Sequence, residues 1–156
     1  MLVPMKPPVF SAQAKELYDQ DFFEWTVRNA DLLRSGRLDE ADLEHIAEEL
    51  EDMGKSERRE LESRLEVLLA HLLQWSCQPP RRGRSWKATI RVQRTALLRL
   101  LADMPSLRNH LRRNLTEIYP TAIQRAISET DLPDDAFPAT CPFTFDQILD
   151  PDSFPE

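Results

Sequence analysis

The sequence predicts an all-α protein, namely a four-helix bundle built on one long second helix and closed by an irregular C-terminal strap. Three observations support this class. The 156 residues include only three glycines, no stretch alternates apolar and polar residues like a strand, and apolar residues recur in steps of three and four. We expect one domain, with a flexible arm at 1–14, the helical bundle at 15–129 and a Pro- and Phe-rich strap at 130–156.

The long helix is predicted over residues 39–75, where the apolar residues keep to one face. At ~1.5 Å per residue it would be roughly 55 Å long, and a lone helix cannot bury such a stripe, so the other segments must pack along it. Asp39 suits the N-cap position. Gly54 could end one helix and start a second, but the apolar phase continues unshifted through Gly54 and favours one helix.

Two of the other predicted helices have clear boundaries. The first runs from Tyr18 to about Leu33 and ends at Ser35–Gly36, a turn short enough to make it an antiparallel neighbour of the long helix. The third follows a basic loop and runs from Trp86 to about Ala102, with Ser85 as its cap. Its buried face is predicted to comprise Trp86, Ile90, Gln93, Leu97, Leu100 and Leu101.

The fourth helix is predicted to start at Pro105, because proline suits the first turn of a helix. Pro120 lies inside it and should kink or split it, since proline lacks one backbone donor. Prolines exclude a long helix after Thr130, but Thr144 and Gln147 match a capping box. The aromatic residues of this segment indicate a strap that packs across the bundle.

Composition argues against several classes of function and location. The net charge of −7 disfavours general attraction to nucleic acid or to anionic membrane. We find neither a signal peptide nor the ~18 consecutive apolar residues of a membrane span. Cys77 and Cys141 form no metal or redox motif. We therefore expect a cytoplasmic protein with reduced thiols, away from the membrane and without a cofactor.

A polar seam accompanies the leucine stripe of the long helix. Glu57 falls in the middle of the stripe at 100° per residue, and Glu60, Arg64 and His71 lie on one edge. Buried ions are costly unless paired, so an internal salt-bridge network is the first interpretation. The alternatives are an acid/base or metal pocket with Glu57 and His71 as its first candidates, or a Glu57 that is less buried than the wheel suggests.

His45, Glu48 and Glu49 could bring potential metal ligands to one side of the same helix. A di-iron or di-manganese bundle, however, needs Glu-x-x-His on two helices and further Glu on two more. The order here is reversed and no second motif exists. We therefore predict no metal site and interpret these residues as a solvated helix face.

A basic stripe is predicted on the third helix. It comprises Arg84, Lys87, Arg91 and Arg94, with Trp86 close by. Such a stripe could bind phosphates, with the indole as a stacking plane. Pairing with the acidic first half of the long helix, or simple solvation, is the competing interpretation.

Several motifs together resemble a known bacterial family, domain of unknown function twenty-nine. They are the run EELEDMGKSERREL from Glu48, the segment AHLLQW ending at Trp75, RSWKATI ending at Ile90, the opening YDQDFFEW and the closing CPFT. The resemblance extends from about Tyr18 to Asp150 and implies a small helical bundle. It implies no activity, since the family has none assigned.

The family motif includes both candidate regions of this chain. Its residues here are Glu48, Glu49, Glu57, His71, Trp86, Ile90, Gln93 and Arg94. The polar seam and the start of the third helix therefore belong to the shared part of the family, whereas Pro120 departs from the usual pattern.

Three functional hypotheses follow. The first is a non-enzymatic, self-associating interaction module, because the other helices are shorter than the stripe they cover and a homodimer would bury the rest. The second is nucleic-acid or anion binding through the basic stripe. The third is a metal-assisted or acid/base hydrolase that uses Glu57 and His71, with Glu60 and Arg64 nearby.

Overall fold

A computed structural model describes residues 16–156, so the predicted arm at 1–14 lies outside the described residues. All regular structure in 16–156 is helical, which confirms the all-α class. After a helical stretch at 16–20, the α-helices are α1 (Phe22–Arg34), α2 (Leu43–Cys77), α3 (Arg84–Asp103), α4 (Leu107–Arg113), α5 (Leu115–Ser128) and α6 (Phe145–Leu149). Short 3₁₀ turns occupy Pro79–Arg81 and Asp134–Ala136. Among these helices none has the length and apolarity needed to cross a bilayer.

The chain divides into two compact units, which we call the N-terminal unit (Met1–Ser56) and the C-terminal unit (Glu57–Glu156). The first 14 residues of α2 belong to the N-terminal unit and the remainder to the C-terminal unit. The helix is continuous through Gly54, as the unshifted apolar phase predicts.

The first predicted helix is interrupted at Asp21. There the backbone leaves the helical region, and the Asp21 carboxylate accepts the backbone N–H of Glu24 at 3.0 Å, which caps α1. The predicted single helix from Tyr18 is therefore wrong at this residue, because the carboxylate competes for the backbone as aspartate does at N-caps. The predicted stop is confirmed: Ser35 follows α1, and Gly36 has a φ of 73°, a left-handed value that glycine tolerates best.

The long helix begins at Leu43, and Asp39 is not its cap. Asp42 takes that place, because its carboxylate accepts the His45 N–H at 3.5 Å and its carbonyl accepts the Ile46 N–H at 3.0 Å. Asp39 lies in the preceding turn. The predicted cap at Asp39 is therefore wrong, and the tertiary contacts of Asp42 described below distinguish it from Asp39.

The core of the C-terminal unit consists of leucines of α2 packed against the helices that follow. Its fully buried residues include Leu61, Leu65, Leu68, Leu69 and Leu72 of α2, Ile90 and Leu97 of α3, Leu111 of α4, Ala122 of α5 and Ile148 of α6. Burial of each such leucine or isoleucine side chain contributes roughly 1.5–3 kcal/mol. The leucine stripe predicted after Glu57 is therefore the core of this unit.

Helix α3 differs from its prediction at its start and on its buried face. Gly83, not Ser85, precedes the first helical residue. The fully buried positions are Ile90, Arg94, Leu97 and Leu101, whereas Trp86 and Gln93 are only half-buried. An arginine thus takes a core position that the pattern of apolar residues could not indicate.

The predicted fourth helix is divided at Asn114, between α4 and α5, and not at Pro120. Pro120 lies inside α5, which continues past it. Pro120 lies in the second turn of α5, where its missing N–H removes the one helical bond that would reach the Thr116 carbonyl. The predicted split at Pro120 is therefore wrong, whereas the predicted alternative, a kink there, stays a prediction.

The C-terminal segment enters the core through α6. Thr144 and Gln147 form the predicted capping box, with the Gln147 N–H donating to Thr144 Oγ1 at 3.2 Å and the Thr144 N–H to Gln147 Oε1 at 2.9 Å. Phe145, Ile148 and Leu149 of the resulting short helix are buried. The capping box therefore fixes a helix of five residues whose apolar side chains complete the core.

Candidate functional site

The polar seam of α2 does not converge on one point. Arg64 donates to Glu60 Oε1 from Nη2 at 2.8 Å and from Nε at 3.0 Å, and to Gln93 Oε1 at 3.4 Å. Glu57 is exposed, and His71 donates from Nδ1 to the Val67 carbonyl at 2.9 Å. Glu57 and His71 are separated by about 21 Å along the helix axis. The structure therefore brings Glu60 and Arg64 together and keeps Glu57 and His71 apart.

His45 is buried, so the predicted solvated face is wrong at this residue. Its ring stacks on Tyr18 with 4.0 Å between the ring centroids. Its Nδ1 is hydrogen-bonded to Asp42 Oδ2 at 2.6 Å, and the same oxygen accepts Trp25 Nε1–H at 3.0 Å. The reason is tertiary: aromatic residues that precede α2 in the chain cover its His45 side.

Three further hydrogen bonds complete this cluster. The Tyr18 hydroxyl donates to Glu49, and this bond raises the pKa of Tyr18 to about 12. Asn29 donates from Nδ2 to the Trp25 carbonyl at 2.9 Å and accepts the Asp42 N–H at 2.8 Å. We call Tyr18, Trp25, Asn29, Asp42, His45 and Glu49 the aromatic–carboxylate cluster.

The periodicity of the sequence places some of these residues on helix faces but does not indicate that they meet. Among residues 16–156 no three side chains of metal-ligating type come together, here or elsewhere. The cluster joins the polar groups of Asp42, Asn29 and Trp25 to one another, which is typical of a network that fixes the position of packed helices.

The predicted basic stripe is divided by the fold. Arg84, Lys87 and Arg91 are exposed and Trp86 is half-buried, but Arg94 is buried among core residues. The Lys87 ammonium lies 5.4 Å from the centroid of the Phe154 ring. Arg94 therefore does not belong to an exposed phosphate-binding surface.

Arg91 instead lines an open groove of about 630 Å³ between α2 and α3. Arg64 and Arg99 line the same groove, as do the carboxyl-bearing residues Glu60 and Asp103. The mixture of charges lowers the electrostatic attraction that a polyanion would find there.

The apolar stripe of α2 is exposed in the N-terminal unit. The exposed fractions are 49% for Leu43, 63% for Leu50 and 65% for Met53, and Ile46 between them is half-buried. The four residues follow the 3–4–3 spacing of a helix-packing seam. We call Leu43, Ile46, Leu50 and Met53 the apolar seam.

Small residues flank the apolar seam. Ala47 is exposed, and a Cβ atom added to Gly54 would meet nothing within 4 Å. Projected at 100° per residue, the acidic side chains Glu44, Glu48, Glu51 and Asp52 lie at least about 100° away from Leu50. Between Leu43 and Met53 the seam is thus an uncharged surface that another helix could approach closely, and the exposed Glu57 follows it on the same face.

The seam is exposed because the aromatic–carboxylate cluster covers a different side of α2. Tyr18 and Trp25 contact His45, Asp42 and Glu49. On the same projection, His45 and Glu49 lie about 100–140° from Leu50. Among residues 16–56, the contacts around the cluster therefore leave the most apolar face of α2 uncovered.

The comparisons with known proteins identify a family but no relative of known function. Residues 17–154 match the family model described as Domain of unknown function DUF29, and the chain therefore belongs to this family. Its function is unknown, and the match agrees with the resemblance drawn from the motifs. Neither the curated proteins nor the solved structures give a match.

Proposed function

We propose that this member of a family without assigned activity is a self-associating helical interaction module, and that a second copy of the chain covers the apolar seam. The observation that carries the proposal is the exposure of Leu43, Leu50 and Met53 on one face of α2. Contiguous exposed apolar surface of this kind is typical of interaction sites.

The chemistry of the seam favours a second copy. A two-fold dimer brings the same residues together from both chains, so the seam must be complementary to itself. Leucine, isoleucine and methionine at 3–4–3 spacing interdigitate with their own copies, and the small flanks at Ala47 and Gly54 allow close approach. The acidic side chains on the far side of α2 avoid repulsion between the two chains.

Sedimentation equilibrium or light scattering over a range of micromolar concentrations tests the proposal. We expect the wild type to dimerise and Leu50→Glu to be monomeric at the same concentrations, because the change buries two carboxylates at the centre of the interface. Val92→Glu is the matched control, since Val92 is 60% exposed but lies in the C-terminal unit. Circular dichroism should show unchanged helix content in both variants.

Two results would contradict the proposal. One is a wild type that stays monomeric at every concentration. The other is equal loss of association in Leu50→Glu and Val92→Glu, which would indicate a general effect of added charge and not a specific seam.

The other two hypotheses have weaker support. Anion or nucleic-acid binding would have to use Arg64, Arg91 and Arg99 in a groove that also contains two carboxyl groups. A hydrolase built on Glu57 and His71 would need residues that lie far apart on one helix. We therefore favour the interaction module, which is a non-enzymatic function.

We also propose that α2 organises a four-helix bundle and that the protein functions in the bacterial cytoplasm. The two free cysteines, Cys77 and Cys141, support a reducing compartment.

A further inference from the structure

Arg94 is the most deeply buried charged residue in the described part of the chain, with 2% of its surface exposed. Its Nε donates to the Ile148 carbonyl at 2.8 Å, and its Nη2 donates to the Gln147 carbonyl at 3.3 Å. The third guanidinium nitrogen, Nη1, is buried and has no hydrogen-bond partner within residues 16–156. Such a group in a native protein calls for an explanation.

Arg94 also has no directly paired carboxylate among the described residues. No carboxylate of the described residues lies within 4.0 Å of it, and its two acceptors are neutral carbonyls. Burial lowers the pKa of Arg94, and the negative charge of Asp150 opposes that shift from a distance. Removing a cation from water costs several kcal/mol unless a counter-charge offsets it, so this site favours an anion.

A cavity of about 250 Å³ beside Arg94 provides room for an anion. Leu72, Gln147, Ser153 and Phe154 also line it. The Phe154 ring lies 5.3 Å from the Arg94 guanidinium carbon, which adds a cation–π contact. The chain end that borders the cavity is held by the hydrogen bond from Trp75 Nε1 to the Pro155 carbonyl at 3.1 Å.

We propose that this cavity binds a small oxyanion, either a phosphate or a carboxylate group, with the Arg94 guanidinium as its counter-charge. The guanidinium is already oriented by its two carbonyl bonds, so little conformational entropy is lost on binding. Glu156 also borders the cavity, and its carboxylate disfavours ligands that carry several charges. The site is independent of the apolar seam and of self-association.

Isothermal titration calorimetry of the full chain with inorganic phosphate, and separately with acetate, tests this site. Ionic strength is kept constant with sodium chloride. We expect saturable binding of at least one anion, and the stronger binder of the two identifies the ligand class. Arg94→Gln should weaken binding by about tenfold or more, the usual effect of losing a charge-assisted hydrogen bond.

Arg91→Gln is the matched control, because Arg91 lies on the same helix but is exposed and lines the other groove. It should bind the anion like the wild type. A loss in Arg91→Gln with retention in Arg94→Gln would overturn the assignment and place the anion in that groove. A wild type that shows no binding beyond the chloride control would also overturn it.

A second pair of variants covers the case in which Arg94→Gln does not fold. Ser153→Asp adds a carboxylate at the cavity wall without removing a core side chain, and it should abolish anion binding by occupying or repelling the site. Ser106→Asp makes the same change at an exposed residue that does not line the cavity and should leave binding unchanged. Undiminished binding in Ser153→Asp would contradict the proposal.

Discussion

The two units of this protein use different interactions although they share one helix. The C-terminal unit buries the leucines of α2 against α3 to α6, so apolar packing dominates it. Among the described hydrophobic residues of the N-terminal unit, only Trp25 and Leu32 are buried. Within residues 16–156, every large hydrophobic side chain that is exposed, Val92 excepted, belongs to the N-terminal unit.

The N-terminal unit depends instead on hydrogen bonds and ring contacts around Asp42 and His45. These interactions are directional, and each is worth little net free energy unless a buried partner is left unpaired. An apolar stripe that runs the length of a helix therefore need not become core along its whole length. Half of it can remain available as a surface.

The largest difference between the two units is expected when one leucine in each is shortened. Leu68→Ala removes a fully buried side chain and should lower the free energy of unfolding by about 2–5 kcal/mol. Leu50→Ala, at 63% exposure, should change it by no more than roughly 0.5 kcal/mol in the monomer. Urea denaturation at concentrations below dimerisation measures both, and equal losses would refute the distinction between core and exposed stripe.

A smaller effect is expected from the aspartate that unites the N-terminal unit. Asp42→Ala leaves the indole N–H of Trp25 and the His45 ring without their acceptor, which should cost about 1–3 kcal/mol. Native-state hydrogen exchange should show the loss in residues 16–56 and little change in the core of the C-terminal unit.

Asp39→Ala is the control for this experiment. Asp39 is the N-cap that the sequence predicts, but it is exposed in the turn before α2. Asp39→Ala should therefore have little effect on hydrogen exchange. A larger effect for Asp39→Ala than for Asp42→Ala would show that the helix begins where the sequence places it.

The elements that could be predicted from the sequence depend on local patterns. The 3–4 spacing identifies α2, its continuity through Gly54 and its buried leucines, because these follow from helix geometry alone. The Thr144–Gln147 capping box is equally local, since both of its hydrogen bonds join residues three apart. Local patterns therefore predict helices and the residues that share a face.

The candidate site residues could not be predicted in the same way, because a helical wheel does not indicate which face a neighbour covers. Glu57 lies in the stripe and yet is exposed, whereas His45 lies off the stripe and is buried. Arg94 is buried because carbonyls of Gln147 and Ile148, more than fifty residues later, accept its N–H groups. Each outcome depends on a contact between distant parts of the chain.

The smallest effect, and the sharpest comparison, comes from the two tyrosines of the sequence, since one lies in each unit. The pKa of both is raised from 10.0 to about 12, in Tyr18 chiefly by its hydrogen bond to Glu49 and in Tyr119 by burial. Because each tyrosine binds its proton more tightly in the folded state, protonation stabilises that state. The stabilisation is complete below pH 10 and is lost between pH 10 and 12.

Phenolate absorbance during an alkaline titration distinguishes the two causes. In the wild type, both tyrosines should ionise well above the ordinary pKa of 10.0. Glu49→Ala should return Tyr18 toward that value and leave Tyr119 unchanged, which separates the titration into two steps. In both proteins, Tyr119 should ionise only as the whole protein unfolds. Its hydroxyl lies in the core and donates to the Pro138 carbonyl at 2.6 Å. A single unchanged step in Glu49→Ala would mean that burial, and not the hydrogen bond, governs the N-terminal unit as well.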